Sequence, residues 1–235
     1  QLPTNTRIFY DIGTATGEDY EPDYGIRHFR TAPDEATDFH FIVYGDNRGD
    51  SGHPWGLTEF QENHAKVVKA ILQKSHDPRL ILHTGDLVQS GGTENQWNPQ
   101  FFWPAQPLLE IAPLFPCLGN HEYQGTGGLN NYLNYFNLPG NERWYSFDYG
   151  NCHFLAADTW DKGHTDHYSE YPKPSPQWDD RLADLQGVTT DWLITWLHIP
   201  PYTDNNSHEF QHQDVTAVRD ELAVKLFEDP NYKQT

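Results

Sequence analysis

The chain has 235 residues, of which 34 are acidic and 15 are basic, giving a formal net charge of −19. This length allows one large domain, or one domain and part of another. The negative charge repels nucleic-acid backbones and anionic membranes, which excludes a generic binder of either, and no apolar run is long enough to span a membrane. An anionic substrate would therefore need a locally positive site, which bound divalent cations can supply.

Residues 1–33 differ from the rest of the chain. Two aromatic runs, "TRIFYDIG" and "YGIRHFRTAP", flank the turn-rich segment "TATGEDYEPD", a pattern typical of an antiparallel hairpin. Two strands do not form a stable domain by themselves. We therefore interpret residues 1–33 as the last strands of a β-sandwich whose earlier strands are missing from this chain.

From residue 39 onwards, strands alternate with helices. The apolar run "FHFIVY" predicts a strand covered on both faces, and residues 58–74 predict an amphipathic helix after it. Further strands are predicted at 79–83, 114–118, 153–157 and 192–198, and a last helix at 214–228. This alternation predicts an α/β domain.

Polar motifs follow four of the predicted strands: "GDNR", "GDL", "GNHE" and "HIPPY". Because ligands of α/β sheets bind at the carboxyl ends of the strands, we expect Asp46, Asp86, Asn120 and His198 to meet at one edge. Oxygen ligands with one imidazole suit a divalent transition metal or a pair of them. Two ions about 3.5–4 Å apart can activate a water and clamp the oxygens of a displacement at phosphorus.

Each motif also has an ordinary structural explanation. A lone Gly-Asp after a strand is most often a turn or a helix cap, and the prolines of "HIPPY" would end any strand. His83 and His153 lie within predicted strands and are expected to be core residues rather than ligands. It is the order of the four motifs, each placed after a strand, that favours one shared site.

The motifs "GDNR", "GDLVQSGG", "GNHE" and "HIPPY" resemble the first four motifs of the calcineurin-like metallophosphoesterases, and "RWYSFDYGNCHFLAADT" and "PQWDDRLADL" resemble the purple acid phosphatase branch. The resemblance implies a four-layer α/β/β/α sandwich over residues 38–235, preceded by the remnant of a fibronectin type III-like domain in residues 1–33. It also implies a secreted or periplasmic hydrolase of a small phosphorylated substrate. Its cofactors would be two divalent or mixed-valence transition-metal ions, Fe, Zn or Mn.

The same resemblance implies a role for each site residue. Asp46 would bind the first ion, Asp86 would bridge both ions, and Asn120 and His198 would bind the second. His121 would lie beside the substrate, where an imidazole can stabilise the transferred phosphoryl group or protonate the leaving oxygen.

Several positions depart from the family pattern. Arg48 stands where many members have a metal-binding His, and an Arg cannot bind a metal. It is a candidate clamp for a phosphate oxygen or else part of a surface ion pair. Gln89 stands where purple acid phosphatases have the Tyr that gives them their colour. Glu122 is expected to support the turn or orient His121, and His208 is a further candidate for substrate binding.

The fifth motif of the family, GHxH, has no match after Tyr202, and "GHTDH" at 163–167 has the wrong spacing and position. We therefore expect the chain to be truncated at both ends and to lack its GHxH segment. The predicted activity is hydrolysis of a phosphomonoester. A phosphodiesterase of the same superfamily, or a non-catalytic binding module that has lost part of the metal site, is the alternative, and the sequence leaves the oligomeric state open.

Overall fold

The computed structural model of the chain describes residues 2–11, 27–49, 56–160, 175–202, 218–220 and 223. Within these ranges the strands are β1 (Arg7–Tyr10), β2 (Arg27–Arg30), β3 (Phe41–Tyr44), β4 (Leu80–His83), β5 (Leu114–Pro116), β6 (Tyr145–Tyr149), β7 (Cys152–Ala156) and β8 (Trp192–Trp196). The α-helices are α1 (Gly56–Lys74), α2 (Trp103–Leu109), α3 (Asn130–Tyr135) and α4 (Pro176–Gly187). The prediction of an α/β domain is confirmed.

The first sheet is parallel and has the order β3-β4-β5. Its register pairs Tyr44 with His83, and His83 with Pro116, so the loops after all three strands leave the sheet at the same edge. The central strand β4 is buried along its whole length. The prediction that "FHFIVY" is covered on both faces is wrong for Val43, which is 53% exposed, because β3 is an edge strand of this sheet as described.

The second sheet has the order β6-β7-β8, in which β6 and β7 are antiparallel and β7 and β8 are parallel. Ala156, the last residue of β7, pairs with Trp196, the last residue of β8. The segments after these two strands therefore emerge side by side. Hydrophobic periodicity predicts neither β6 nor α4. Strand β6 lies in "RWYSFDYGNCHFLAADT" and α4 contains "PQWDDRLADL", the two segments that carry the purple acid phosphatase resemblance.

The two sheets pack face to face through aromatic side chains. Phe115 of the first sheet stacks on Phe147 of the second with ring centroids 4.2 Å apart, and Phe41 meets Phe154 edge-on at 5.6 Å. Side chains alternate along each strand, so Leu80 and Leu82 face this shared core while Ile81 packs against α1.

On β7 the same alternation turns one face toward the first sheet and the other toward α4. Phe154 and Ala156 belong to the core between the sheets, whereas Leu155 packs with Trp178 and Leu185 of α4. The described elements are thus layered as helix, sheet, sheet and helix, with the loop-bearing strand ends on one side.

Strands β1 and β2 form a separate antiparallel pair, as the hairpin prediction required. The pair is attached to the α/β part by Arg27, which is bonded to Glu110, and by Arg7, which is bonded to Asp77. That residues 1–33 belong to a fibronectin type III-like domain, and that a second domain spans 38–235, both remain predictions.

Of the predicted helix 214–228, only residues 218–220 and 223 lie among the described residues, and Val218 packs against the α4 side of the second sheet. None of the described helices combines the length and the apolar character needed to cross a membrane.

Candidate metal centre

The loops after β3, β4 and β5 are bound to one another just beyond the sheet. The backbone N–H of Asp46 donates to Gly85 O at 3.1 Å, and that of Arg48 donates to Asp86 O at 3.1 Å. Asp46 and Asp86 both have left-handed backbones, with φ of 53° and 57°. This conformation is uncommon for residues other than glycine and often occurs at functional sites.

The four predicted metal ligands lie together at this edge. One ligand atom from each of Asp46, Asp86 and His198 lies within 4.8 Å of the others. Asn120 completes the group, because its Oδ1 is 3.1 Å from His198 Nε2. Asp86 is almost fully buried at 2% exposure, whereas Asp46 is exposed to solvent.

The hydrogen bonds of His198 leave a lone pair directed into this group. Its Nδ1 is 2.8 Å from Thr84 O, and since a carbonyl oxygen only accepts, Nδ1 carries the proton. In the neutral ring Nε2 is then an acceptor that faces Asn120 Oδ1 and, at 3.5 Å, Asp86 Oδ1. An acceptor nitrogen surrounded by acceptor oxygens fits a cation between them.

The charges of the group agree with this reading. Burial raises the pKa of Asp46, and the nearby Asp86 carboxylate raises it further, while His198 and Arg48 act in the opposite direction. A carboxylate held in this way is stabilised in its charged form by a bound cation. The donors therefore suit a divalent metal ion in both chemistry and charge.

Glu122 ties the loops of the centre together from beneath. It is completely buried, and its carboxylate accepts the backbone N–H groups of Asp86 (2.8 Å), Leu87 (2.8 Å) and Gly119 (2.7 Å). Burial and the neighbouring Asp86 charge raise the pKa of Glu122 to about 7 against the effect of the N–H donors. Of the two roles expected for Glu122, these contacts match support of the turn.

Gly119 allows the close approach of the β4 and β5 loops. A Cβ atom at this position would lie 2.3 Å from Asp86 Oδ1 and 2.5 Å from the Asp86 backbone nitrogen. Any other residue would displace Asp86, so the glycine of "GNHE" is a packing requirement of the centre.

His121 lies beside the four predicted ligands and is 8% exposed. Its Nδ1 is 2.7 Å from Gln89 O and therefore carries a proton. Its backbone N–H donates to Asp86 Oδ1 at 3.0 Å, and its Nε2 is 3.9 Å from Asp86 Oδ2. The imidazole is thus held at the edge of the centre with Nε2 toward Asp86 Oδ2.

Arg48 reaches into the centre and contacts one of the predicted ligands. Its Nε donates to Asp86 Oδ2 at 2.7 Å and its Nη1 to Gln89 Oε1 at 3.0 Å. The sequence predicts either a phosphate clamp or a surface ion pair for Arg48. In the structure Arg48 forms an ion pair, and its partner is the nearly buried Asp86.

His208 and the 163–167 segment lie outside the described residues.

The buried amide of Gln100, which the sequence motifs did not reveal, positions Arg48 and Gln89. Gln100 is 1% exposed, and its Oε1 accepts the backbone N–H groups of Gly49 (3.3 Å) and Gln89 (2.7 Å). Gly49 is the residue after Arg48, and Gln89 is the hydrogen-bond partner of the Arg48 side chain. No sequence motif marks Gln100, because it lies 51 residues from Gly49 along the chain.

Asn47, inside the "GDNR" motif, fixes the loop from its other side. Its Nδ2 donates to Leu87 O at 3.0 Å, and its Oδ1 contacts Nε2 of His83. His83 is fully buried and packs edge-on against Phe101, as expected for a core histidine.

The fold and the centre define a mixed α/β protein with a carboxylate, amide and imidazole cluster at the carboxyl ends of its strands. Residues 35–232 match the calcineurin-like phosphoesterase family, and the chain belongs to this family. The resemblance to the purple acid phosphatase branch is confirmed by its relatives.

Three of these relatives illustrate the range. The chain is 29% identical over 154 residues to acid phosphatase type 7 of Mus musculus, covering 63% of the chain and 34% of the relative. It is 27% identical over 186 residues to "Probable inactive purple acid phosphatase 24" of Arabidopsis thaliana, covering 71% and 29%. It is 22% identical over 235 residues to a phosphoenolpyruvate phosphatase of Allium cepa, covering 93% and 44%. The chain spans less than half the length of each of these curated relatives.

Proposed function

We propose that the chain carries the centre of a metal-dependent phosphoesterase that hydrolyses a small phosphomonoester. The observation that supports this most is the meeting of Asp46, Asp86 and His198 ligand atoms within 4.8 Å, next to Asn120, in a calcineurin-like phosphoesterase. The names of two relatives, an acid phosphatase and a phosphoenolpyruvate phosphatase, support a phosphomonoester as substrate.

The four ligands provide what a metal-dependent hydrolase requires. A divalent ion held by these residues would lower the pKa of a coordinated water and polarise the phosphoryl oxygens. If two ions such as Fe, Zn or Mn were bound, as the family resemblance implies, Asp46 would hold the first, Asn120 and His198 would hold the second, and Asp86 would contact both. Thr84 O holds His198 in the tautomer that presents Nε2.

His121 is proposed as the residue that acts on the substrate. Gln89 O fixes its Nδ1–H, which leaves Nε2 to face a phosphate bound over Asp86. In the protonated ring Nε2–H donates to a phosphoryl oxygen as negative charge develops, or gives its proton to the leaving oxygen. His208 keeps its proposed role in substrate binding.

The acidic chain makes a small anion a more suitable substrate than a nucleic-acid backbone, because its net charge of −19 repels an extended polyanion. A non-catalytic phosphate-binding module is the second candidate. It is favoured by the Arg48 contact with Asp86 and by relatives whose names include the word inactive.

We also propose the domain limits 1–33 and 38–235, and a secreted or periplasmic location, on the family resemblance alone.

The test is hydrolysis of p-nitrophenyl phosphate and bis(p-nitrophenyl) phosphate by the full-length protein after chelation and after re-addition of Zn²⁺, Mn²⁺ or Fe²⁺. The proposal predicts activity on the monoester that disappears on chelation, returns with metal and is absent in Asp86→Asn. Preference for the diester would favour a phosphodiesterase. Binding of inorganic phosphate without turnover of either ester would favour the binding module.

A further inference from the structure

The two carboxylate oxygens of Asp86 have different surroundings. Oδ1 lies 3.5 Å from His198 Nε2 and accepts the backbone N–H of His121. Oδ2 accepts the Nε–H of Arg48 at 2.7 Å. The side of Asp86 that faces His198 is therefore open to a metal ion, while the opposite side is already bound to a cation.

Arg48 is built into this position rather than resting there by chance. Its Nη1 is held by Gln89 Oε1 and its backbone N–H by Asp86 O. The residue after Arg48 and the backbone of Gln89 are both bound by the same buried amide oxygen of Gln100. The Arg48 side chain is 34% exposed, and the Asp86 side chain is 3% exposed.

A second ion on the Oδ2 side of Asp86 would meet this guanidinium directly. A metal bound to Oδ2 lies about 2.0–2.2 Å from the oxygen, and Arg48 Nε is 2.7 Å from the same oxygen, so the two cations would be at most about 5 Å apart. Since a guanidinium does not lose its proton in proteins, the repulsion cannot be relieved by deprotonation.

We propose that this centre holds one divalent ion instead of two, and that the guanidinium of Arg48 takes the place of the second. The ion is bound on the His198 side of Asp86, with Asp46 and Asn120. This inference rests on the proposed metal-dependent function and alters only the number of ions and the identity of the second positive group.

The fork of Arg48 is suited to the role of the missing ion. Its Nε and Nη1 are used on Asp86 and Gln89, and its Nη2 donates to none of the residues that the structure describes. This nitrogen can donate to a phosphate oxygen held above Asp86. A guanidinium that bonds an acidic side chain and a phosphate together is a strong, directional contact.

The experiment measures metal per chain by elemental analysis of the full-length protein equilibrated with Mn²⁺ or Zn²⁺ and passed through a desalting column. We expect about one ion for wild type and close to two for Arg48→His, which replaces the cation with a ligand. Arg48→Lys keeps the charge and should stay at one. Arg7→Ala removes an equal charge from a pair far from the centre and should also stay at one.

Electron paramagnetic resonance of the Mn²⁺-loaded proteins gives a readout independent of activity. Wild type should show the six-line spectrum of an isolated ion, and Arg48→His the spectrum of a coupled pair, as expected for ions about 3.5–4 Å apart. If thermal unfolding shows that Arg48→His does not fold, Arg48→Ala replaces it, with the same expected gain.

The outcomes separate this inference from the proposed function. Two coupled ions in wild type would overturn the inference and leave the metal-dependent function standing. One ion in wild type and also in Arg48→His and Arg48→Ala would overturn the role of Arg48. No bound ion in wild type would overturn the proposed function itself, and the inference with it.

Discussion

Removing the carboxylate of Glu122 should destabilise the fold more than any other change at the centre. Glu122 is fully buried and accepts three backbone N–H groups, from Asp86, Leu87 and Gly119. In Glu122→Ala all three donors lose their acceptor. A buried donor without a partner costs about 1–3 kcal/mol, and the loss of a buried charge next to Asp86 offsets part of this cost.

The net loss of unfolding free energy expected for Glu122→Ala is about 3–5 kcal/mol, the range observed when one partner of a buried charged contact is removed. Glu122→Gln should lose less. Its carbonyl oxygen can still accept from Asp86 and Gly119, which share one Glu122 oxygen, while its NH₂ group would face the Leu87 N–H. Losing this hydrogen bond and placing the new NH₂ donor against the Leu87 N–H donor should lower the free energy of unfolding by about 1–3 kcal/mol.

The assay is equilibrium unfolding in urea of the chelator-treated proteins, so that metal binding does not contribute. Glu62→Gln, on an exposed position of α1, is the matched control and should change stability by less than about 0.5 kcal/mol. A Glu122→Gln protein as stable as this control would refute the reasoning, because it would mean that the three N–H groups do not depend on the carboxylate.

Three further predictions concern the centre and one histidine outside it. Asp86→Asn should abolish phosphatase activity and lower bound metal while the protein stays folded; unchanged metal content with near-normal turnover would contradict the role of Asp86. His121→Ala should lower turnover by roughly 10²–10⁴-fold with metal content unchanged, and loss of the metal instead would make His121 a ligand. Burial opposes protonation of His153, but its hydrogen bonds to Asp184 and Asp148 raise its pKa. The protonated form therefore stabilises the fold below the ordinary pKa of about 6.5, and this contribution is lost as pH rises through the raised value. Wild type should then exceed His153→Gln in unfolding free energy by more at about pH 6 than at about pH 8; an equal difference at both would contradict the assignment.

The meeting of three of the four metal ligands, Asp46, Asp86 and Asn120, could be predicted because it follows from topology, whereas His198 follows β8 of the second sheet. Strands of the first sheet run in parallel, so residues placed just after β3, β4 and β5 reach one edge whatever lies between them. The two left-handed aspartates and the glycine of "GNHE" occur within these motifs. Short polar segments after apolar strands therefore carried most of the information on the site.

The contacts of Arg48 could not be predicted in the same way. Its partner Asp86 is 38 residues away and Gln89 is 41 residues away, and the choice between them and a phosphate depends on loop packing. Gln100 acts through a buried amide in the π-helical turn Asn98–Phe102, and no sequence motif marks this turn. The burial of β3 was overestimated because an apolar run does not reveal whether its strand lies at the edge or in the middle of a sheet.

The most direct test of the metal centre is the anomalous diffraction of crystals of the full-length protein grown with Mn²⁺ or Zn²⁺. We expect a peak among Asp46, Asp86, Asn120 and His198, with His198 Nε2 about 2.0–2.1 Å from a Zn²⁺ ion and its Nδ1 still bound to Thr84 O. A structure at saturating metal with no peak at this position, or with His198 turned away from it, would contradict a metal centre formed by these four residues.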